Sequence, residues 1–132
     1  MKERKKIKLP RPKSLKKICD NLWSEVVKAI ADYKSELSGK TEDLHSHHLV
    51  GKSNYYLRYL LENGICLTAG EHFYSAHHEG RRFDFQNKVR SVRGEDIFER
   101  LNRLKNYRIK TDLKLVKIYL EEQLKIIKGE TK

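Results

Sequence analysis

The distribution of histidine most constrains what this chain can fold into. All six histidines lie within residues 44–78, LHSHHLVGKSNYYLRYLLENGICLTAGEHFYSAHH, which make up about a quarter of the 132 residues. Imidazole is a common ligand of divalent metal ions, and it also gains and loses protons near neutral pH. The clustering therefore predicts a functional site in this segment, and metal binding is the role that we favour.

The charge of the chain indicates its class of partner. There are 29 Lys and Arg against 18 Asp and Glu, which gives a net charge of +11 and an isoelectric point near 9.7. Such an imbalance is unusual for an ordinary metabolic enzyme and predicts a polyanionic partner, with nucleic acid as the first candidate. No run of about eighteen apolar residues and no secretory signal is present, so we expect a cytoplasmic protein without a membrane partner.

The basic residues are concentrated at the start of the chain. Residues 1–17 carry nine Lys or Arg against one Glu, and Pro10 and Pro12 disfavour a helix there. We interpret residues 1–13 as a flexible basic arm that follows phosphates, with a solubilising or expression-related tail as the alternative. Residues 14–132 are then expected to form a single domain.

The hydrophobic pattern predicts an α+β fold. A long amphipathic helix should begin at Ser14, include Tyr33 in its apolar stripe and end before Gly39. Two strands at 43–50 and 64–67, separated by a loop at 51–62, precede a short helix at 71–77. Two more helices are expected within residues 95–128, the second capped by Thr111, and both should pack on the first helix. The intervening stretch RRFDFQNKVRSVR is basic and only weakly patterned.

The histidines differ in the geometry that their positions allow. His47 and His48 are adjacent on a predicted strand, so their side chains point to opposite faces. His45 shares a face with His47, and we interpret it as a surface residue in preference to a substitute ligand. His72 and His77 lie about 140° apart on an ideal helix, which is poor for joint ligation unless the last turn loosens.

The same segment resembles the HNH, or ββα-metal, endonuclease family, and in particular its small phage-type members. The resemblance is carried by HHLVG at 47–51, LR at 57–58, NGICL at 63–67 and the later His72 and His77. It implies a ββα-metal core at about 43–78, flanked by the N-terminal helix and the two C-terminal helices. It also implies that His48 is the general base, that Asn63 fixes the loop, and that the metal ligands are His47, His72 and His77.

The implied activity is metal-dependent hydrolysis of DNA. His48 would activate water, and one divalent ion, Mg²⁺, Mn²⁺, Ni²⁺ or Zn²⁺, would act on the scissile phosphate. The residues expected to contact nucleic acid are Arg58, Lys52, Arg81 and Arg82, although the last two are equally compatible with a solvated turn. The alternative is a non-catalytic nucleic-acid-binding module on the same fold, for example a phage packaging or recombination accessory. A zinc-binding regulator is a weaker third candidate, and the sequence leaves the oligomeric state open.

One departure from the family pattern concerns structural zinc. Members of this type commonly hold a zinc ion with two C-x-x-C pairs, and the corresponding positions here are Ser35, Ser38, Thr68 and Glu71. The chain has only two cysteines, Cys19 and Cys66, too few for a four-cysteine site or a disulfide framework. We therefore expect no structural zinc and a fold held by packing.

Overall fold

The computed structural model describes residues 14–51, 54–76, 79–107 and 110–129. The described chain is mainly helical and contains a small antiparallel sheet of two strands, which confirms the α+β class. Its strands and α-helices are α1 (Leu15–Ile30), β1 (Leu44–His48), α2 (Tyr55–Arg58), β2 (Gly64–Thr68), α3 (Arg82–Arg93), α4 (Ile97–Leu104) and α5 (Leu113–Ile127). Short helical turns lie at Leu61–Asn63, Glu71–Ala76 and Glu79–Arg81, the second of them π-helical. None of the described helices is long and apolar enough to cross a membrane.

Helix α1 begins as predicted but ends earlier. The Ser14 hydroxyl accepts a hydrogen bond from the Lys17 amide at 3.2 Å and caps the first turn. The helix stops at Ile30 because the backbone soon becomes left-handed, with φ of 56° at Asp32 and 54° at Tyr33. The prediction that Tyr33 belongs to the helical stripe is therefore wrong, since a left-handed residue cannot continue a right-handed helix.

The two strands are aligned from Leu44 opposite Thr68 to His48 opposite Gly64. The β1 strand is shorter than the predicted 43–50. Gly64 lies directly against α1, because a Cβ built there would come 2.5 Å from the Val27 side chain and 2.7 Å from that of Trp23. This close approach explains why a glycine opens β2.

Strand β2 separates two hydrophobic cores. Cys66 packs on one face with Trp23 of α1 and Leu120 of α5, whereas Ile65 and Leu67 pack on the other face. The second core is completed by residues of α2, α3 and α4, namely Leu57, Phe85, Val89, Ile97 and Leu101. The prediction that both C-terminal helices pack on α1 is thus correct for α5 and wrong for α4, whose apolar face covers the opposite side of the sheet.

Other helices depart from the sequence-based expectation. The predicted loop at 51–62 contains α2, which Asn54 caps by accepting from the Tyr56 and Leu57 amides. The weakly patterned basic stretch forms α3. Helix α5 is capped by Asp112, whose side chain accepts from the Lys114 amide at 3.0 Å, and not by Thr111.

Candidate functional site

The pleat of β1 divides the histidines between the two sides of the sheet. His45 and His47 lie opposite Leu67 and Ile65 and share their face, while His48 lies opposite Gly64 on the face that α1 covers. The prediction that His47 and His48 point to opposite faces of the strand therefore matches the backbone register.

Three imidazoles meet on the face of the sheet that carries Ile65 and Leu67. Nδ1 of His45 lies 3.1 Å from Nδ1 of His72, and the rings of His47 and His72 have their centroids 4.8 Å apart. The π-helical turn Glu71–Ala76 brings His72 to β1, and the rings of His47 and Phe85 of α3 pack in a T-shaped arrangement with centroids 5.7 Å apart. The structure thus brings together the predicted pair His47 and His72 and adds His45, which is exposed yet in contact.

The 3.1 Å separation of the two nitrogens has a chemical meaning. Either one nitrogen donates a proton to the other, or both present lone pairs to a shared cation. Two nitrogens bound to one tetrahedral zinc ion at about 2.0–2.1 Å each would be roughly 3.3 Å apart. The spacing of His45 and His72 is therefore close to that of two ligands on one metal ion.

The third predicted ligand, His77, lies outside the described residues, as do His78 and Lys52. Within the described ranges, no group of three or more His, Cys, Asp or Glu side chains is arranged to hold a metal ion. The described part of the chain supplies neighbouring imidazoles on β1 and on the turn Glu71–Ala76.

Contacts with α2 and α1 help to fix the predicted base, His48. Its Nε2 lies 3.0 Å from the carbonyl oxygen of Arg58, and its ring stacks on the indole of Trp23 at 3.9 Å with an interplanar angle of 5°. The indole N–H of Trp23 in turn donates to the Leu60 carbonyl at 3.1 Å. Because a carbonyl only accepts, the proton of the neutral ring resides on Nε2 and the basic lone pair on Nδ1.

Asn63 links the segments that surround His48. It is fully buried, its side-chain oxygen accepts from the Val50 amide at 2.8 Å, and its side-chain nitrogen donates to the carbonyls of Val50 and Leu57 at 2.9 and 3.0 Å. These bonds hold the end of β1 to α2, whose carbonyl at Arg58 contacts His48. Asn63 is therefore placed to position His48 and is not among the residues that line the cavity described below.

The side chain of Arg58, predicted to contact phosphate, forms a two-pronged ion pair with Asp20 of α1. Its Nε and one terminal nitrogen lie 2.8 and 2.7 Å from the two carboxylate oxygens. The hydrogen bond to Asp20 raises the pKa of Arg58 above its ordinary value. Burial acts to raise the pKa of Asp20, but hydrogen bonds, first from Arg58 and then from Tyr59, leave it below its ordinary value. Arg81 and Arg82 are both exposed at the start of α3.

A cavity of about 440 Å³ connects these groups. It is lined by the histidines of both faces, His47, His48 and His72, and by the ion pair of Asp20 and Arg58. Its remaining lining residues are Trp23, Ser24, Ser46 and Gly51. The arrangement can therefore present an oriented basic nitrogen and a separate group of imidazole donors to one substrate.

The four positions that the family resemblance aligns with zinc cysteines, Ser35, Ser38, Thr68 and Glu71, form a hydrogen-bonded polar cluster. The buried Ser35 hydroxyl donates to a Glu71 carboxylate oxygen at 2.6 Å and accepts from the amides of Leu37 and Ser38, both at 3.2 Å. The Thr68 amide donates to the same Glu71 oxygen at 2.9 Å, and the Glu71 amide donates to the Thr68 hydroxyl at 3.1 Å. The cluster therefore ties residues 35–38 to the turn that carries His72.

Glu36 and Arg93 together cover the outer edge of β2. Glu36 accepts from the Cys66 amide at 2.8 Å, and its own amide donates to the Cys66 carbonyl at 2.9 Å. Arg93 of α3 donates to both Glu36 oxygens at 2.9 Å and to the Gly64 carbonyl at 2.6 Å. The amide and carbonyl of Cys66 and the carbonyl of Gly64, which lie on the free edge of β2, are thereby paired.

Comparison with known proteins found no matching family model, no matching curated protein and no matching solved structure.

Proposed function

We propose that this chain is a metal-dependent DNA endonuclease of the HNH type, which hydrolyses phosphodiester bonds. The single observation that carries the proposal is the shared cavity, because an oriented imidazole, His48, and a separate imidazole group, His47 with His72, both line it. In this proposal β1, β2 and the turn Glu71–Ala76 correspond to the ββα-metal core. The net charge of +11 supports a polyanionic substrate.

In the proposed reaction His48 acts as the general base. A water molecule attacks the phosphorus atom while Nδ1 of His48 takes its proton, and the bond from phosphorus to the leaving oxygen breaks as that oxygen gains a proton from solvent. The Arg58 carbonyl keeps the other ring nitrogen protonated, so the same nitrogen is always presented. Trp23 fixes the plane of the ring by stacking.

A divalent ion, when bound, would stabilise the negative charge that develops on the phosphate oxygens. His47 and His72 are the described residues that would hold it, and His77 is the third ligand predicted from the family pattern. Imidazole nitrogens suit Zn²⁺ and Ni²⁺ better than Mg²⁺ or Mn²⁺, which prefer oxygen ligands. The chemistry of the donors therefore favours Zn²⁺ or Ni²⁺ among the four candidate ions.

A non-catalytic nucleic-acid-binding module is the second candidate. It is favoured by the ion pair in which both carboxylate oxygens of Asp20 hold the guanidinium of Arg58. A scissile phosphate would have to displace Asp20 before Arg58 could bind it. Such a module, for example a phage packaging or recombination accessory, would bind DNA without cutting it.

Incubation with supercoiled plasmid distinguishes the two candidates. The wild-type chain and Gln123→Ala, a change on α5 outside the cavity, should give nicked or linear DNA with Zn²⁺ or Ni²⁺, and His48→Ala should give almost none. Retarded migration of DNA without cleavage under all four ions would favour the binding module. Neither binding nor cleavage would contradict both candidates.

A further inference from the structure

Helix α5 is apolar on two opposite sides. Its inner side packs on α1 and adjoining residues through Leu113, Val116, Leu120 and Leu124. Its outer side exposes four large apolar residues, with exposed fractions of 64% for Leu115, 58% for Ile118, 52% for Tyr119 and 54% for Ile126. We call the stripe formed by these four residues and Glu122 the outer face of α5.

The spacing of the outer face gives it the shape of a helix interface. Residues 115, 118, 119, 122 and 126 fall within about 100° around an ideal helix, and the stripe is roughly 16 Å long at 1.5 Å per residue. A helix that is apolar on opposite sides is typically buried on both of them. Single exposed apolar residues are common on protein surfaces, but a continuous stripe indicates an interaction site.

The charge on α5 indicates which partner fits. Three lysines and two glutamates make this helix nearly neutral, although the chain as a whole carries +11. Two copies of a strongly basic chain repel each other, and they can approach with least repulsion where the surface is nearly neutral. A nucleic acid would gain little from this face, because its affinity depends on lysine and arginine contacts to phosphate.

We propose that the outer face of α5 binds the same face of a second copy of this chain, in an antiparallel, two-fold symmetric pair. In an antiparallel arrangement Leu115 meets Ile126 of the second copy, and Tyr119 meets Glu122, so the phenol can donate a hydrogen bond to the carboxylate. In a parallel arrangement each residue would meet its own counterpart, and the two Glu122 carboxylates would repel each other. The position of Glu122 within the apolar stripe therefore selects the antiparallel pair.

This inference is independent of the proposed function. The pair would hold two histidine clusters in one particle in a fixed relation, because α5 packs on α1 and Trp23 of α1 stacks on His48. A single helix face is smaller than the roughly 800 Å² per partner of a standard protein interface, so we expect a reversible dimer with a dissociation constant in the micromolar range.

Sedimentation velocity from low micromolar to several hundred micromolar protein tests the pair. The wild-type mass should rise from 15.7 kDa towards twice that value. Ile118→Glu should stay monomeric, and the matched control Val92→Glu, which adds the same charge at a position 47% exposed on α3, should dimerise like the wild type. A wild-type monomer at every concentration, equal loss of dimer in the control, or assemblies that grow beyond two copies would overturn the proposal.

Disulfide trapping tests the orientation. We expect Leu115→Cys mixed with Ile126→Cys to form a disulfide-linked dimer on mild oxidation, and each variant alone to form little. The native thiols Cys19 and Cys66 are buried, and burial is the main cause that raises the pKa of both, to about 11 for Cys66, so they should not interfere. Efficient self-linking of Leu115→Cys would indicate a parallel pair and contradict the antiparallel one.

Discussion

At the scale of single residues, the surroundings of His48 allow its role to be separated from that of His47. We predict that His48→Ala lowers cleavage by about 10²–10⁴-fold, the usual contribution of a general base, and leaves metal affinity nearly unchanged. His47→Ala should lower both. Plasmid cleavage together with calorimetric metal titration of folded variants measures the two effects, and loss of metal binding in His48→Ala would make His48 a ligand.

Glu71 should make the stability of the fold depend on pH. Burial acts to raise its pKa, but hydrogen bonds, led by that from Ser35, leave it below the ordinary value of 4.5. A carboxyl group whose pKa is lower in the folded state stabilises that state above its unfolded pKa, and this contribution is lost as the pH falls through the folded pKa. Urea unfolding at neutral and acidic pH should therefore show a smaller acid-induced loss for Glu71→Gln than for wild type.

The control for this experiment is Glu99→Gln on α4, whose side chain is exposed. It should retain the acid-induced loss of the wild-type chain. Identical pH dependence in the wild type and Glu71→Gln would show that the carboxylate of Glu71 does not stabilise the fold through its charge.

The sequence could locate the candidate site but not its contacts. The alternation of side chains along a strand predicts that His47 and His48 point to opposite faces, and the family pattern identifies Asn63 and His72. Each of these two predictions uses only the order of residues along a short segment of the chain. The Arg58 carbonyl and the Trp23 indole that hold His48 come from α2 and α1, and their approach depends on tertiary packing. The two-residue spacing placed His45 on the face of His47, but its contact with His72 depends on the turn Glu71–Ala76 and could not be predicted.

At the scale of elements, the close approach of α1 to β2 predicts a pair of glycine variants with different outcomes. Gly64→Ala should destabilise the fold by about 1–3 kcal/mol, because its added methyl group meets the side chains of Val27 and Trp23. Gly51→Ala should change stability little, since a Cβ there meets nothing within 4 Å. Chemical denaturation measures the difference, and equal stability of the two variants would contradict this packing.

The elements differ in how much of them could be predicted. Helices α1 and α5 were predicted because each has a long apolar stripe with a helical period. Helix α3 was missed because only Phe85 and Val89 are buried in it, while Phe83 and Val92 are exposed at 72% and 47% and obscure the period. The packing of α4 could not be predicted, since an amphipathic pattern shows that a face is buried but not what covers it.

At the scale of the whole molecule, hydrogen bonds among Ser35, Ser38, Thr68 and Glu71 stand where a structural zinc ion would be expected. Removal of metal ions by a chelator should therefore leave the protein folded. We predict cooperative thermal unfolding both with and without EDTA, because two hydrophobic cores and hydrogen bonds hold the described fold. The two transitions should differ only by the mass-action effect of one bound ion, a few kcal/mol at most when the ion is in large excess. Complete unfolding on chelation, or two tightly held zinc ions per chain in elemental analysis, would contradict this.

The position of β2 between the two cores determines how the molecule can open. Residues Gly64 to Leu67 are fully enclosed, and neighbouring side chains within the strand belong to different cores, Cys66 to one, Ile65 and Leu67 to the other. Separating either core from β2 would expose apolar surface on the strand and on that core, so partial unfolding around this strand is unfavourable. Its backbone amides should therefore exchange with deuterium only when the entire chain unfolds, and their exchange rates should report the global free energy of unfolding.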